Sequence, residues 1–131
     1  LREALRRFVA EEAERLKGIA DLLGADADPA DVAERYATVL ETNNGPEQIA
    51  QFELYLEAAR NPALRDIAQE SFRAYEEVAV AALRAAGVED AERVAPLFVS
   101  LADGLGMRRM AAGASPPLDE MLLGLFRRVS A

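Results

Sequence analysis

The 131-residue sequence contains no histidine and no cysteine. The usual protein ligands of zinc, copper and haem are therefore missing, as are the bases and thiols of serine and cysteine nucleophile systems. We accordingly expect no metal and no other cofactor, and we predict that the chain is not an enzyme. The lack of cysteine also excludes a disulfide framework, so a cytoplasmic location is expected.

Long apolar runs and phosphate-binding loops are absent as well. No stretch approaches the roughly 18 consecutive apolar residues of a spanning helix, and charged residues occupy the N-terminal positions that are apolar in a signal peptide. We therefore expect no membrane association. Gly104 and Gly106 lie within a helical pattern, without the strand or the third glycine of a dinucleotide site, which indicates that they are packing glycines.

Positive charge is scarce, because 15 basic residues stand against 23 acidic ones and leave a net charge of -8. Such a field repels a phosphate backbone, so this chain is not expected to bind DNA by itself. Its length and its 51% hydrophobic content are those of a folded protein with a real core. Residues 1–131 are predicted to form a single domain.

Apolar residues recur every three to four positions through six segments, and no strand-like alternation interrupts them. Helix-capping and helix-breaking residues mark the predicted ends of these segments. They are Gly24, Asp28-Pro29, Asn43-Asn44-Gly45-Pro46, Asn61-Pro62, Ala86-Gly87, Asp90, Gly113 and Ser115-Pro116-Pro117. The pattern predicts a compact all-α bundle of about six helices.

The fifth predicted helix has two apolar faces rather than one, which favours burial against its own subunit and against a partner. Asp103 lies inside its apolar run. A buried carboxylate is costly unless it is paired. We therefore expect Asp103 to interact with Arg108, with a neighbouring helix or with a ligand.

Three stretches of the sequence together resemble the C-terminal domain of the TetR family of transcriptional regulators. They are Leu1-Arg2-Glu3-Ala4-Leu5, the segment from Phe52 to Arg65 with its Asn61-Pro62 corner, and Leu101-Ala102-Asp103-Gly104-Leu105. The resemblance covers almost the whole chain, whereas the N-terminal helix-turn-helix of the family is missing. It implies that DNA is contacted only through that absent domain.

The resemblance further implies a homodimer, in which the last two helices of each subunit form a four-helix bundle with those of the twin. This role falls to Glu92 through Met110 and to Leu118 through Val129. The implied interface residues are Leu97, Leu101, Leu105, Leu118, Met121, Leu122, Leu125 and Phe126.

The family also holds an effector among the first five of these helices, and effector binding swings the connecting helix and so disturbs the spacing of the DNA-reading domains. We expect a small hydrophobic effector in a largely apolar cavity, and a repressor as the regulator. The candidate ligand-binding residues are inward-facing aromatic, aliphatic and neighbouring polar side chains: Tyr36, Phe52, Tyr55, Leu56, Phe72, Tyr75, Asp103 and Met107.

Two other hypotheses remain open at this point. A structural or adaptor bundle for protein–protein interaction predicts a filled interior, so a cavity separates it from an effector-binding domain. An enzyme that works through carboxylates alone requires two acidic groups that converge in a cleft with strongly shifted pKa values. The adjacent acidic pairs, such as Glu76-Glu77, point to different parts of a helix surface and do not predict such a cleft.

Overall fold

The computed structural model describes residues 2–22, 28–42 and 45–130, which fold into six α-helices with short connections. In chain order, α1 to α6 span Arg2–Leu22, Pro29–Thr42, Pro46–Arg60, Arg65–Ala85, Ala91–Ala112 and Leu118–Ser130. One 3-10 turn, Pro62–Leu64, separates α3 from α4. The described residues contain no strand, so the all-α prediction is confirmed. None of these helices combines the length and the apolar composition needed to cross a bilayer.

Two helical segments begin where the sequence predicts, at an Asp-Pro and an Asn-Pro pair. The Asp28 carboxylate accepts a hydrogen bond of 3.1 Å from the backbone N–H of Ala30. The Asn61 side chain likewise accepts one of 3.1 Å from the N–H of Ala63. In both cases proline follows as the first helical residue, where its missing N–H costs nothing.

Glycines end α4 and α5 because they adopt the left-handed backbone conformation at low cost. Gly87 has a φ of 84°, and its N–H donates to the carbonyl of Arg84 at 3.0 Å. The N–H of Val88 donates to the carbonyl of Leu83 at 2.9 Å, which completes a Schellman motif. Gly113, with a φ of 78°, closes α5. Both predicted ends are confirmed.

One predicted cap is wrong and two other predicted ends are not described. Asp90 occupies the N-cap position of α5, but its side chain makes no capping hydrogen bond. Its carboxylate instead lies 3.6 Å from the guanidinium of Arg93, one turn into the helix. The ends predicted at Gly24 and at Asn43-Asn44 lie outside the described residues.

The helix α4 is central, because it packs against α1, α2, α3 and α5. Its buried face is rich in alanine, which lets these neighbours approach closely. The fully or nearly fully buried alanines are Ala68, Ala74, Ala79, Ala82 and Ala85. The last helix, α6, packs against α2 and α5.

Two hydrophobic clusters fill the interior. The larger one joins α2, α4, α5 and α6, and within it the rings of Phe98 and Phe126 stack at 4.9 Å. The smaller one joins α1, α3 and the start of α4 through residues such as Leu54 and Ile67. Polar side chains lie where α1, α3 and α4 meet the larger cluster, and these side chains bound the candidate site.

Candidate ligand-binding site

A small cavity lies between α2, α3, α4, α5 and the first residue of α6. Its volume is about 30 Å³, which accommodates one or two water molecules. Its wall contains aliphatic side chains together with tyrosine hydroxyls, carboxamides, a carboxylate and a guanidinium. The lining residues are Tyr36, Leu40, Gln48, Gln51, Tyr75, Val99, Ala102, Asp103, Gly106, Arg109 and Leu118. The cavity is therefore not the largely apolar enclosure that the sequence predicts.

The buried side chain of Gln51 organises one wall of this cavity. Its Nε2 donates to the Tyr55 hydroxyl at 2.9 Å, and that hydroxyl lies 3.0 Å from Oγ of Ser71. Its Oε1 lies 3.2 Å from the Tyr75 hydroxyl, which is also 3.2 Å from a carboxylate oxygen of Glu12. A buried carboxamide must satisfy both its donors and its acceptor. This network therefore fixes Gln51 and links the cavity to α1.

Asp103 faces the cavity as a carboxylate that lacks a pairing group. Within the described part of the chain, no hydrogen bond and no salt bridge reaches it. Burial desolvates the charged form and raises the pKa of Asp103 to about 6. The expected pairing with Arg108 does not occur, because residues five apart lie on different faces of a helix. A second carboxylate is also absent from the described cavity wall, so the paired-acid chemistry of a carboxylate enzyme has no counterpart here.

The Tyr36 hydroxyl is a second polar group without a described partner. The residue is 1% exposed and lines the cavity, yet no hydrogen bond joins its hydroxyl to any described residue. Burial raises its pKa strongly, and the nearby negative charge of Asp103 raises it further. Buried tyrosine hydroxyls normally have a hydrogen-bond partner. Tyr36 and Asp103 together therefore leave unused hydrogen-bonding capacity at one cavity.

Three of the eight predicted ligand-binding residues, Tyr36, Tyr75 and Asp103, line the cavity. Tyr55 reaches it only through Gln51, and Phe52 is buried without lining it. The remaining three are exposed large side chains on other surfaces: Leu56, Phe72 and Met107. The structure therefore does not bring these eight side chains together in one pocket. Helical periodicity alone does not identify the inward face of α3, which carries apolar residues nearly all around.

The sequence interpretation missed Gln48 and Gln51, although a usable signal was present. Gln48, Gln51 and Tyr55 follow an i, i+3, i+7 spacing, which places three polar groups on one face of α3. Gln51 is 4% exposed. A buried glutamine beside a tyrosine indicates a hydrogen-bonded network rather than plain core packing.

The glycines of α5 differ in their surroundings. A methyl group at Gly106 would collide with the side-chain amide of Gln48, whereas at Gly104 it would meet nothing within 4 Å. Gly106 thus gives the Gln48 side chain its place in the cavity wall. Gly104 is exposed, so the prediction that it is a packing glycine is wrong.

These surroundings predict gains of different size for two matched substitutions. Gly104→Ala should stabilise the protein by about 0.5–1 kcal/mol, because alanine restricts the unfolded chain and favours helix. Gly106→Ala should gain less, since it must displace Gln48. Urea denaturation measures both changes, and NMR signals of the Gln48 side-chain amide should move only in Gly106→Ala. Equal gains with an unmoved Gln48 signal would contradict this account of the cavity wall.

The predicted dimer interface divides into an inner and an outer set. Leu105, Leu118, Leu122 and Phe126 are 0–5% exposed and belong to the core of the subunit. They are buried because α6 packs against both α2 and α5. These four predicted interface residues therefore lie inside the described subunit rather than at its surface.

The outer set forms an apolar surface groove of about 410 Å³ between α5 and α6. Its walls contain the other four predicted interface residues together with Ser100 and Arg128. Those four are Leu97, Leu101, Met121 and Leu125. Leu97 is 50% exposed and Met121 is 39% exposed. We call this surface the α5–α6 groove.

The described bundle thus combines a cavity of mixed polar and aliphatic lining with an apolar groove between α5 and α6. A family model described as tetracycline repressor-like, C-terminal domain, matches residues 27–131. The chain therefore belongs to the TetR-like C-terminal domains, a family of ligand-binding and dimerisation domains of regulators. No curated protein and no solved structure matches the chain.

Proposed function

We propose that residues 1–131 act as one effector-binding and dimerisation domain of a TetR-like transcriptional repressor. The observation that carries this proposal is the cavity, at which the Asp103 carboxylate and the Tyr36 hydroxyl have no described partner. Polar groups without a partner lower the stability of the ligand-free domain, and a ligand that forms hydrogen bonds to them removes this penalty. DNA recognition belongs to a separate helix-turn-helix domain, because this chain carries a net charge of -8.

The hydrogen bonds around Gln51 support a route by which ligand binding alters α1, the helix that corresponds to the connecting helix of the family. Gln51 lines the cavity, and its carboxamide reaches Glu12 on α1 through the Tyr75 hydroxyl. Glu12 is in turn bound to Arg15 at 3.0 Å. If the ligand binds to Gln51 more tightly when α1 is in one of two positions, ligand binding increases the population of that position. A regulator of this kind acts where the DNA is, so we propose a cytoplasmic location.

The α5–α6 groove supports the homodimer. It is an apolar surface built from two adjacent helices, and such a surface on each copy supplies the self-complementary patch of a twofold interface. The matched family consists of domains that typically dimerise. Leu97, which is half-exposed, is the residue whose substitution tests the interface with least disturbance to the subunit core.

Native mass spectrometry of the purified chain tests both parts of the proposal. A species at twice 14.2 kDa supports the dimer, and a small-molecule adduct supports the effector site. An adaptor bundle is the alternative, and the small size of the cavity, about 30 Å³, favours it. A monomer without any adduct would overturn the regulator and support the adaptor.

The α5–α6 groove predicts that Leu97→Glu converts a dimer into a monomer of 14.2 kDa. A carboxylate in this largely apolar surface loses its hydration when a second copy covers it, and dissociation avoids that cost. Native mass spectrometry or sedimentation velocity measures the outcome. The matched control is Leu56→Glu, at an exposed leucine of α3 outside the groove, and it should remain dimeric.

Persistence of the Leu97→Glu dimer would show that the interface lies elsewhere. Leu122 is not suitable for this test, although the sequence alone nominates it. It is 0% exposed within the subunit, so a charge there would disrupt the core whether or not a dimer forms.

A further inference from the structure

The cavity wall combines aliphatic side chains and the Arg109 guanidinium with two acceptor groups that have no described partner. Asp103 is the negatively charged residue of the cavity wall. The Tyr36 hydroxyl, in the same wall, can accept as well as donate a hydrogen bond. Both lie in the described part of the chain without a partner. These two groups therefore offer acceptor oxygens and one negative charge to whatever enters.

A cation satisfies this arrangement more completely than a neutral donor does. A neutral hydroxyl or amide gives Asp103 a hydrogen bond but leaves its charge uncompensated in a desolvated place. An ammonium group supplies both the charge and up to three donors. Tyr36 and Tyr75 also line the cavity, and aromatic side chains attract cations.

The other charged and titratable groups around Asp103 leave room for that cation. Tyr36 from α2, Tyr55 from α3 and Tyr75 from α4 are neutral, since burial raises the pKa of each. Arg109 is the cationic lining residue, six positions further along α5, which is about 9 Å along the helix axis. Its guanidinium donates to Oγ of Ser115 at 3.5 Å, and Ser115 does not line the cavity.

We infer that the effector of this domain is a small organic amine whose ammonium group binds between the Asp103 carboxylate and the Tyr36 hydroxyl. The inference rests on the proposed effector-binding function and names the class of ligand. The present cavity, about 30 Å³, holds a group of ammonium size. The Gln48 side chain, which stands against Gly106, is the flexible part of the wall that rotates to admit the rest of the molecule.

An NMR titration with three probes of equal length tests the inference: n-propylammonium chloride, 1-propanol and sodium propionate. At pH 7.5 propylammonium should give saturable shifts at backbone amides of the cavity wall, such as those of Ala102 and Gly106, with an affinity above that of the other probes. Asp103→Asn should weaken propylammonium binding at least about tenfold and leave propanol binding unchanged. Asp31→Asn, at an exposed aspartate on α2, serves as the matched control and should bind like the wild type.

The pH dependence adds a second criterion. The raised pKa of Asp103, about 6, means that at pH 5 about nine tenths of the carboxyl groups are protonated in the free protein. Propylammonium affinity should therefore fall about tenfold from pH 7.5 to pH 5. The propanol affinity should not change over this range.

The probes separate failure of the ligand class from failure of the proposed function. Tighter binding of propanol or propionate, or unchanged propylammonium binding by Asp103→Asn, would overturn the amine while leaving an effector site in place. If none of the three probes shifts the amide signals of the cavity wall, both the amine inference and the proposed effector site would be overturned. Saturable binding of propylammonium that depends on Asp103 and on ionisation supports both.

Discussion

Phe126→Ala will destabilise the protein by about 3–5 kcal/mol, the largest effect expected of any single truncation in the core. Phe126 is 0% exposed, and its ring stacks on that of Phe98 at 4.9 Å with an interplanar angle of 25°. Alanine removes the burial of a whole ring, the contact with Phe98 and the packing that holds α6 on α5. Urea denaturation followed by circular dichroism measures the loss as a lower transition midpoint.

Phe72→Ala is the matched control for this prediction. Phe72 also stacks on an aromatic ring, that of Tyr55 at 4.4 Å, but it is 37% exposed. Both phenylalanines stack on an aromatic ring, so the two substitutions remove a similar ring contact. The difference between the two losses in free energy of unfolding therefore measures the effect of burial. We expect Phe72→Ala to cost about 1–2 kcal/mol. Equal losses would mean that α6 does not pack as described. The measurements are made at several protein concentrations, so that a contribution from dimerisation is recognised.

The ends of the helices could be predicted from the sequence because they depend on neighbouring residues. Proline after Asp28 or Asn61 fixes the first helical residue, and Gly87 supplies a left-handed conformation that other residues avoid. Asp90 was mistaken for a capping side chain because Arg93, three residues later, competes for its carboxylate. Even there the position of the helix start was right.

The inward face of α3 could not be predicted, because it depends on distant residues. Ile49 and Leu56 are apolar residues of α3 that are 47% and 60% exposed, whereas Gln51 on the same helix is buried. Gln51 can be buried because α4 completes its hydrogen bonds. The Tyr75 hydroxyl bonds directly to the Gln51 carboxamide, and Ser71 bonds to the Tyr55 hydroxyl that accepts from Gln51. Hydrophobicity ranks glutamine as a surface residue, so no local pattern reveals such a partner.

The same limit explains the partial prediction of the cavity and of the dimer surface. Tyr36, Tyr75 and Asp103 carry polar groups that need partners when buried, and these three line the cavity. Leu56 and Met107 were selected for apolar character alone and are exposed. In α6 the apolar stripe is wide enough for two contacts, and only the packing of α2 against it decides that Leu122 is inside while Leu125 borders the groove.

Asp103→Asn will stabilise the ligand-free protein by about 2–3 kcal/mol at pH 8 and by almost nothing at pH 4. Burial raises the pKa of Asp103 to about 6 in the folded state, about two units above its ordinary value, and each unit corresponds to about 1.4 kcal/mol. Below pH 4 the carboxyl group is protonated in both the folded and the unfolded chain. Between pH 4 and pH 6 only the folded chain retains the proton, so the stability of the wild type falls as the pH rises.

Asparagine carries no charge at any of these pH values, and it keeps the shape of aspartate and its capacity to accept a hydrogen bond. The difference between variant and wild type should therefore open from pH 4 to about pH 6 and stay constant above pH 7. Denaturant titrations at unit steps of pH measure it, and Asp31→Asn, on the exposed face of α2, should run parallel to the wild type. A constant difference at all pH values would mean that Asp103 is hydrated or paired in solution. At neutral pH the unpaired Asp103 carboxylate lowers the free energy of unfolding of the ligand-free domain. A bound ammonium group pairs with this carboxylate and raises the free energy of unfolding again.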